Sequence, residues 1–168
     1  LATYASRCIE NEILMFIRKS QPQKNEVSID EPLNVDWDGN ELLLSDKITE
    51  KADALAKKTG GKVCNNITVA AEADYIFLGV KPQMLKDTME EIIPVLKKRT
   101  DRFVLVSMLA AFTCERICEN AGGNYPVIRI MPNTPVAVGK GMILYCCNAL
   151  VEQETLEDFT KGFSRFIV

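Results

Sequence analysis

Two short stretches of this 168-residue chain combine residue types and spacing that could do chemistry. The first, Gly79-Val80-Lys81-Pro82-Gln83, closes the apolar run Tyr75 to Val80 and leads into a helical pattern. Glycine there lets a ligand approach the backbone closely, and the free N–H groups of a helix start favour anions. The same residues also suit a plain strand-to-helix turn. The second stretch is Ile130-Met131-Pro132-Asn133-Thr134-Pro135. Each proline fixes its own φ and restricts the residue before it, so the loop is stiff and holds the Asn133 amide and the Thr134 hydroxyl in place. A purely structural rigid turn is the alternative. Asp46 is a third candidate. In a dinucleotide-binding fold an acid after such a strand bonds the ribose 2′-OH, whereas a neighbouring cation accommodates a 2′-phosphate. Lys47 is adjacent, which leaves both options open, along with that of ordinary surface charges. Ser45 would bond a phosphate or cap the next helix.

Several chemistries are excluded. The chain has no histidine, which removes Ser-His and Cys-His nucleophile pairs and every His-ligated metal site. No nucleophile stands beside a base, so no catalytic residue is assigned; Glu90-Glu91 falls on the polar face of a helix. The six cysteines are Cys8, Cys64, Cys114, Cys118, Cys146 and Cys147. Cys114 and Cys118 share a helix face, a poor zinc site without further ligands, and Cys146 and Cys147 point to opposite faces of a strand. Reduced, structural cysteines and a cytoplasmic location are expected. A net charge of −3 and a pI near 5.2 give no general attraction to polyanions, so no nucleic-acid partner is expected. No run approaches the roughly 18 apolar residues of a membrane span. The N-terminus lacks the pattern of a secretory signal and begins at Leu1, so an incomplete upstream end is expected.

The elements that position these residues follow from the pattern. Residues 21–40, rich in Pro, Asn, Asp and Gln, read as loop or linker; Ile13 to Ile17 fits a strand or a helical turn. Beyond residue 40, short apolar strands alternate with amphipathic helices. Strands are predicted at 42–44, 62–64, 75–80, 103–108, 127–131 and 142–146. Helices are predicted at 48–58, 68–72, from Lys81-Pro82 through Leu96, from Thr113 as N-cap to about Asn120, and at 150–163. Tyr75 to Val80 reads as a strand buried on both faces. This alternation means an α/β fold: a mostly parallel sheet with helices on both faces. Ligands bind such sheets beyond the carboxyl ends of the strands.

The stretches 73–83 (ADYIFLGVKPQ) and 127–142 (VIRIMPNTPVAVGKGM) resemble the two signature stretches of pyrroline-5-carboxylate reductase, and the spacing of Asn66, Ser107 and Thr113 fits as well. The resemblance covers roughly residues 42–168. It implies a Rossmann-like NAD(P)-binding domain over 41–168 after a divergent segment 1–40, NADP or NAD as cofactor, and reduction of the small-molecule substrate 1-pyrroline-5-carboxylate to L-proline. It further implies that Ser45 lies near the adenosine phosphate and Asn66 near the adenine ribose. Gly79, Val80, Lys81, Pro82, Met108, Leu109 and Ala110 would line the cofactor, and Asn133, Thr134 and Pro135 would border the nicotinamide and substrate. Complete relatives are homo-oligomers.

The sequence departs from that pattern in three places. It contains no G-x-G-x-x-G/A loop, whose glycines let a pyrophosphate approach a helix N-terminus. It stops at Val168, where the family's helical dimerisation domain would begin. Ala111 stands where the family has glycine. Little or no turnover is therefore expected; the competing expectation is a non-catalytic Rossmann-derived fragment that binds a nucleotide or another chain, and a third is another imine or β-hydroxyacid oxidoreductase.

Overall fold

The computed structural model describes residues 41–138 and 140–163; the expectations for Ile13 to Ile17, for the loop 21–40 and for a separate segment 1–40 lie outside them. In chain order the elements are β1 (Leu43–Leu44), α1 (Thr49–Thr59), β2 (Lys62–Val63), α2 (Asn66–Glu72), β3 (Tyr75–Leu78), a 3-10 turn (Pro82–Met84), α3 (Leu85–Leu96), β4 (Val104–Ser107), α4 (Cys114–Ala121), β5 (Val127–Pro132), a 3-10 turn (Thr134–Val138), β6 (Ile143–Cys147) and α5 (Gln153–Gly162).

Local chemistry sets the boundaries. Gly60 ends α1 at φ 71°, its N–H donating to the Ala56 carbonyl, a left-handed cap that costs glycine nothing. Helix α2 starts two residues earlier than periodicity indicates, because the Asn65 side chain accepts the Thr68 N–H at 2.8 Å. The Thr113 hydroxyl accepts the Arg116 N–H at 3.2 Å and so caps α4 as expected. Lys81-Pro82 opens a 3-10 turn before α3, closed by Met84 N–H donating to Lys81 O at 2.8 Å. Helix α5 begins at Gln153 instead of Leu150, since Val151 N–H turns back to Asn148 O at 3.2 Å.

The strands form two sheets. β1 and β2 pair in parallel, and the second sheet has the order β3-β4-β5-β6, parallel through β5, with β6 antiparallel to β5. No strand among the described residues joins β1 to β3, so the single sheet expected from the sequence is split there. The fold is α/β and mostly parallel, with helices on both faces of the four-stranded sheet. Helices α3 and α4 cover one face. Leu85, Met89, Ile92 and Leu96 from α3 and Ile117 and Ala121 from α4 meet Ile76, Leu78, Leu105 and Val127 there. Helix α5 lies on the other, where Phe159 joins Val104, Val106, Ile128, Ile130 and Ile143. Each large side chain in these clusters contributes on the order of 2 kcal/mol by leaving water. Truncation of Leu105, fully buried on the interior strand β4, to alanine would cost about 2–5 kcal/mol.

The expectation that β3 is buried on both faces is corrected. Ile76 and Leu78 are buried but Phe77 is 46% exposed. Its ring lies 6.3 Å from that of Phe159 and 6.4 Å from that of Phe163, and among the described residues the single helix α5 on that face leaves much of it uncovered.

Candidate functional site

The carboxyl ends of β1, β3, β4 and β5 carry the residues singled out by sequence. Beyond β1, the Ser45 hydroxyl donates to the Asn66 carboxamide oxygen at 2.8 Å. The Asn66 Nδ2 group donates in turn to Glu91 Oε2 at 2.7 Å. Serine and asparagine thus meet across 21 residues of sequence, and Glu91 on α3 fixes which way the carboxamide points. Sequence reasoning missed Glu91 in this role, since periodicity marks it only as a polar-face residue. Asp46 Oδ1 accepts the Ile48 N–H at 2.7 Å; one carboxylate oxygen therefore orders the turn into α1.

At the end of β3, Gly79, Lys81 and Pro82 are exposed and Val80 is half-buried. A Cβ added at Gly79 would meet only the flexible Met108 Cε, at 3.4 Å. Packing within the protein does not require glycine here. Met108, 38% exposed beyond β4, lies across from it. Ala110 is exposed beside it. Leu109 is 2% exposed and packs in the core, so it offers only backbone to the rim. Its N–H donates to the buried Ser107 hydroxyl at 3.2 Å. Ala111 adopts φ 62°, a left-handed conformation that opposes a Cβ, at the position where the family resemblance places glycine.

Beyond β5, Asn133 closes a hairpin. Its backbone N–H donates to Met142 O at 3.1 Å, and its Oδ1 accepts the Met142 N–H at 2.9 Å. Pro132 remains in the strand, paired with Ile143. Thr134 and Pro135 are exposed in the 3-10 turn that follows. A Cβ at Gly141 would lie 2.2 Å from Val136 N, so only glycine lets the hairpin fold back on that turn. The stiffness read from the prolines is present, and the Asn133 carboxamide oxygen is part of it. Lys81 and Asn133 lie at the same end of the sheet, two strand positions apart, which corresponds to about 10 Å.

The electrostatics suit binding better than covalent chemistry. All five described cysteines are free thiols. Burial, with the Glu72 carboxylate adding to it, holds the Cys64 thiol above its ordinary value. Burial likewise pushes Cys114 up to about 11. Both remain protonated at neutral pH, the opposite of an activated nucleophile. No group of three or more Cys, Asp or Glu side chains that could hold a metal ion occurs among the described residues. No described helix is long and apolar enough to cross a membrane.

Residues 37–111 match the family model described as NADP oxidoreductase coenzyme F420-dependent. The pyrroline-5-carboxylate reductase of Corynebacterium melassecola is 40% identical over 93 residues, covering 55% of this chain and 34% of the relative. A relative of a different kind, the RNA polymerase sigma-E factor of Clostridium acetobutylicum, is 51% identical over 71 residues, covering 42% of this chain and 30% of the factor. Among solved structures, the Coxiella burnetii pyrroline-5-carboxylate reductase superposes with a TM-score of 0.67 at 24% identity, covering 75% of this chain and 47% of that one. The Plasmodium falciparum enzyme, solved with NADP bound, gives 0.61 at 23% identity, covering 77% and 57%. The chain thus spans about a third of the length of the reductase it matches in sequence. Alternating elements and these likenesses agree: the chain resembles the N-terminal part of pyrroline-5-carboxylate reductases and has a Rossmann-type fold.

Proposed function

We propose that this domain binds NAD(P)H along the carboxyl ends of its strands and acts as the nucleotide-binding part of a reductase that converts 1-pyrroline-5-carboxylate to L-proline. The observation that carries the reading is Gly79, where the protein's own packing leaves open the space a Cβ would fill. In this reading Ser45 and Asn66 hold the adenosine end, and Val80, Lys81, Pro82, Met108, Leu109 and Ala110 line the middle of the cofactor. Asn133, Thr134 and Pro135 border the nicotinamide and the substrate. The bound cofactor supplies the hydride to the C=N carbon. The chain's own residues position the two rings and exclude water. An imine already primed for hydride needs little further acid–base help, which accords with a chain that has no histidine.

The sequence contains no G-x-G-x-x-G/A loop, so pyrophosphate is held less closely and slow turnover is expected. A cytoplasmic location and homo-oligomeric assembly belong to the same proposal. Fluorescence titration with NADPH and with NADH tests it, followed by turnover with 1-pyrroline-5-carboxylate. Saturable binding that weakens at least tenfold in Gly79→Val supports the reading. Absence of saturable binding by either nucleotide overturns it.

A second reading is that the chain works as an interaction fragment. The β5–β6 hairpin leaves Met131, Met142, Leu144 and Tyr145 exposed, and exposed apolar side chains of this kind can mark an interaction surface. Identity to the sigma-E factor makes RNA polymerase the partner to test. Co-elution of the chain with purified core polymerase in gel filtration supports this reading, and separate elution removes it.

A further inference from the structure

Three elements bring two thiols and a guanidinium together outside the cleft at the strand ends. Cys146 on β6 stands directly opposite Arg129 on β5 in the antiparallel register. Alternation places both side chains on the face covered by α4. Cys114, the first residue of α4, packs onto that face with its sulfur 4.0 Å from Val127 O, two residues before Arg129. Cys146 and Arg129 both lie close enough to act electrostatically on Cys114. The Arg129 Nε is buried and has no hydrogen-bond partner. Cys114 is 7% exposed. Cys146 is exposed on a shallow groove of about 160 Å³ lined by Arg129, Ile130, Met131, Leu144 and Tyr145.

We propose that Cys114 and Cys146 form a redox pair, in which Cys146 takes up a low-molecular-weight disulfide and Cys114 closes it to an intramolecular cross-link between α4 and β6. The Cys146 thiolate attacks one sulfur of the small disulfide and expels one small thiolate. Cys114, as thiolate, then attacks the Cys146 sulfur of the mixed disulfide and expels the second. The two protons lost by the protein thiols end on the two small thiols, so the protein is oxidised by two electrons and the small disulfide is reduced by two. Arg129 lowers the cost of the thiolate in the second step, a step that burial of Cys114 otherwise slows. The exposed thiol is the entry point and the buried one the resolving group, because only Cys146 is open to the groove. The cross-link would tie the start of α4, and with it the 108–113 loop at the nucleotide rim, to an edge strand. Cys147 does not compete from the same face, since its register partner is Ile128, which packs on the α5 side.

The test is oxidation of the full chain with millimolar oxidised glutathione, followed by thiol counting and non-reducing peptide mapping. The expected result is a fall from six titratable thiols to four, a linked peptide pair joining Cys114 to Cys146, and a raised thermal midpoint. Cys147→Ser should leave the cross-link intact, while Cys146→Ser and Cys114→Ser should each abolish it. Glutathione retained on Cys146 without closure overturns the proposal. So does linkage of Cys146 to Cys147, of Cys114 to Cys118, or between two copies of the chain.

Discussion

Asn66 sits between two partners of opposite demand: its oxygen accepts from the Ser45 hydroxyl at 2.8 Å and its nitrogen donates to Glu91 at 2.7 Å. The carboxamide is the one side chain of that shape able to do both. Asn66→Asp places a carboxylate against Glu91. The pair then shares a proton, and one member has its folded pKa raised above the unfolded value. Stability from that proton is present below about pH 4 and is lost as pH rises. The variant should match the parent near pH 4 and fall about 1 kcal/mol below it at pH 7. Urea denaturation at the two pH values checks this.

Gly79→Val separates binding from folding. The added side chain meets only Met108 Cε, so unfolding free energy should stay within about 0.5 kcal/mol of the parent. Nucleotide affinity should fall at least tenfold. Equal loss of both quantities would show that the glycine serves packing instead.

Ala111 holds φ 62°. Relief of the left-handed penalty by Ala111→Gly, less the added freedom of the unfolded chain, should stabilise the domain by about 0.5–1 kcal/mol. Thermal unfolding followed by circular dichroism measures it.

Asn148 ties β5 to the turn before it. Its Oδ1 accepts the Val127 N–H at 3.1 Å and its Nδ2 donates to Tyr125 O at 2.8 Å. Asn148→Ala strands both groups in a partly buried setting and should cost about 2–3 kcal/mol, whereas exposed Asn124 changed to alanine should cost little.

Cys114 carries a pH signature. Burial pushes its thiol from 9.0 to about 11, with the neighbouring Cys146 and Glu115 adding to the rise and Arg129 opposing it. The folded state therefore favours the protonated thiol. That contribution to stability is complete below about pH 9 and is lost as pH climbs towards 11. Alkylation of Cys114 by iodoacetamide, read by mass spectrometry, should accelerate about tenfold per pH unit across that range.

Much of the architecture is legible in the residues. Val104 to Val106 announce a buried strand, Thr113 a helix start, Gly60 a helix end, and the apolar face of Leu85, Met89, Ile92 and Leu96 a packed helix. What escapes depends on long-range geometry. Periodicity cannot show that Phe77 has only one helix to lean on, that Leu109 turns inward from the rim, or that Glu91 meets Asn66 from 25 residues away. At the site, residue types were readable at each strand end, but their pairing was not. Ser45 and Asn66 are separate candidates in the chain and one hydrogen-bonded unit in space. Asn133 illustrates the converse: a side chain that looks available for a ligand already spends its oxygen on the hairpin. The split between β1 and β3 has no signature in any single segment, because it arises from a strand that is not there to be read among residues 41–163.

That split divides the domain mechanically. The small parallel ribbon of β1 and β2 contributes two residues per strand, and its helix α1 buries only Ala52. The four-stranded sheet is clamped by cores on both faces. Amide protons of the ribbon should exchange first, through openings that leave the larger sheet intact. A dinucleotide stretched from Ser45 to Asn133 would have its adenosine end on the yielding part and its nicotinamide end on the firm one, so occupancy would act as the missing brace between them.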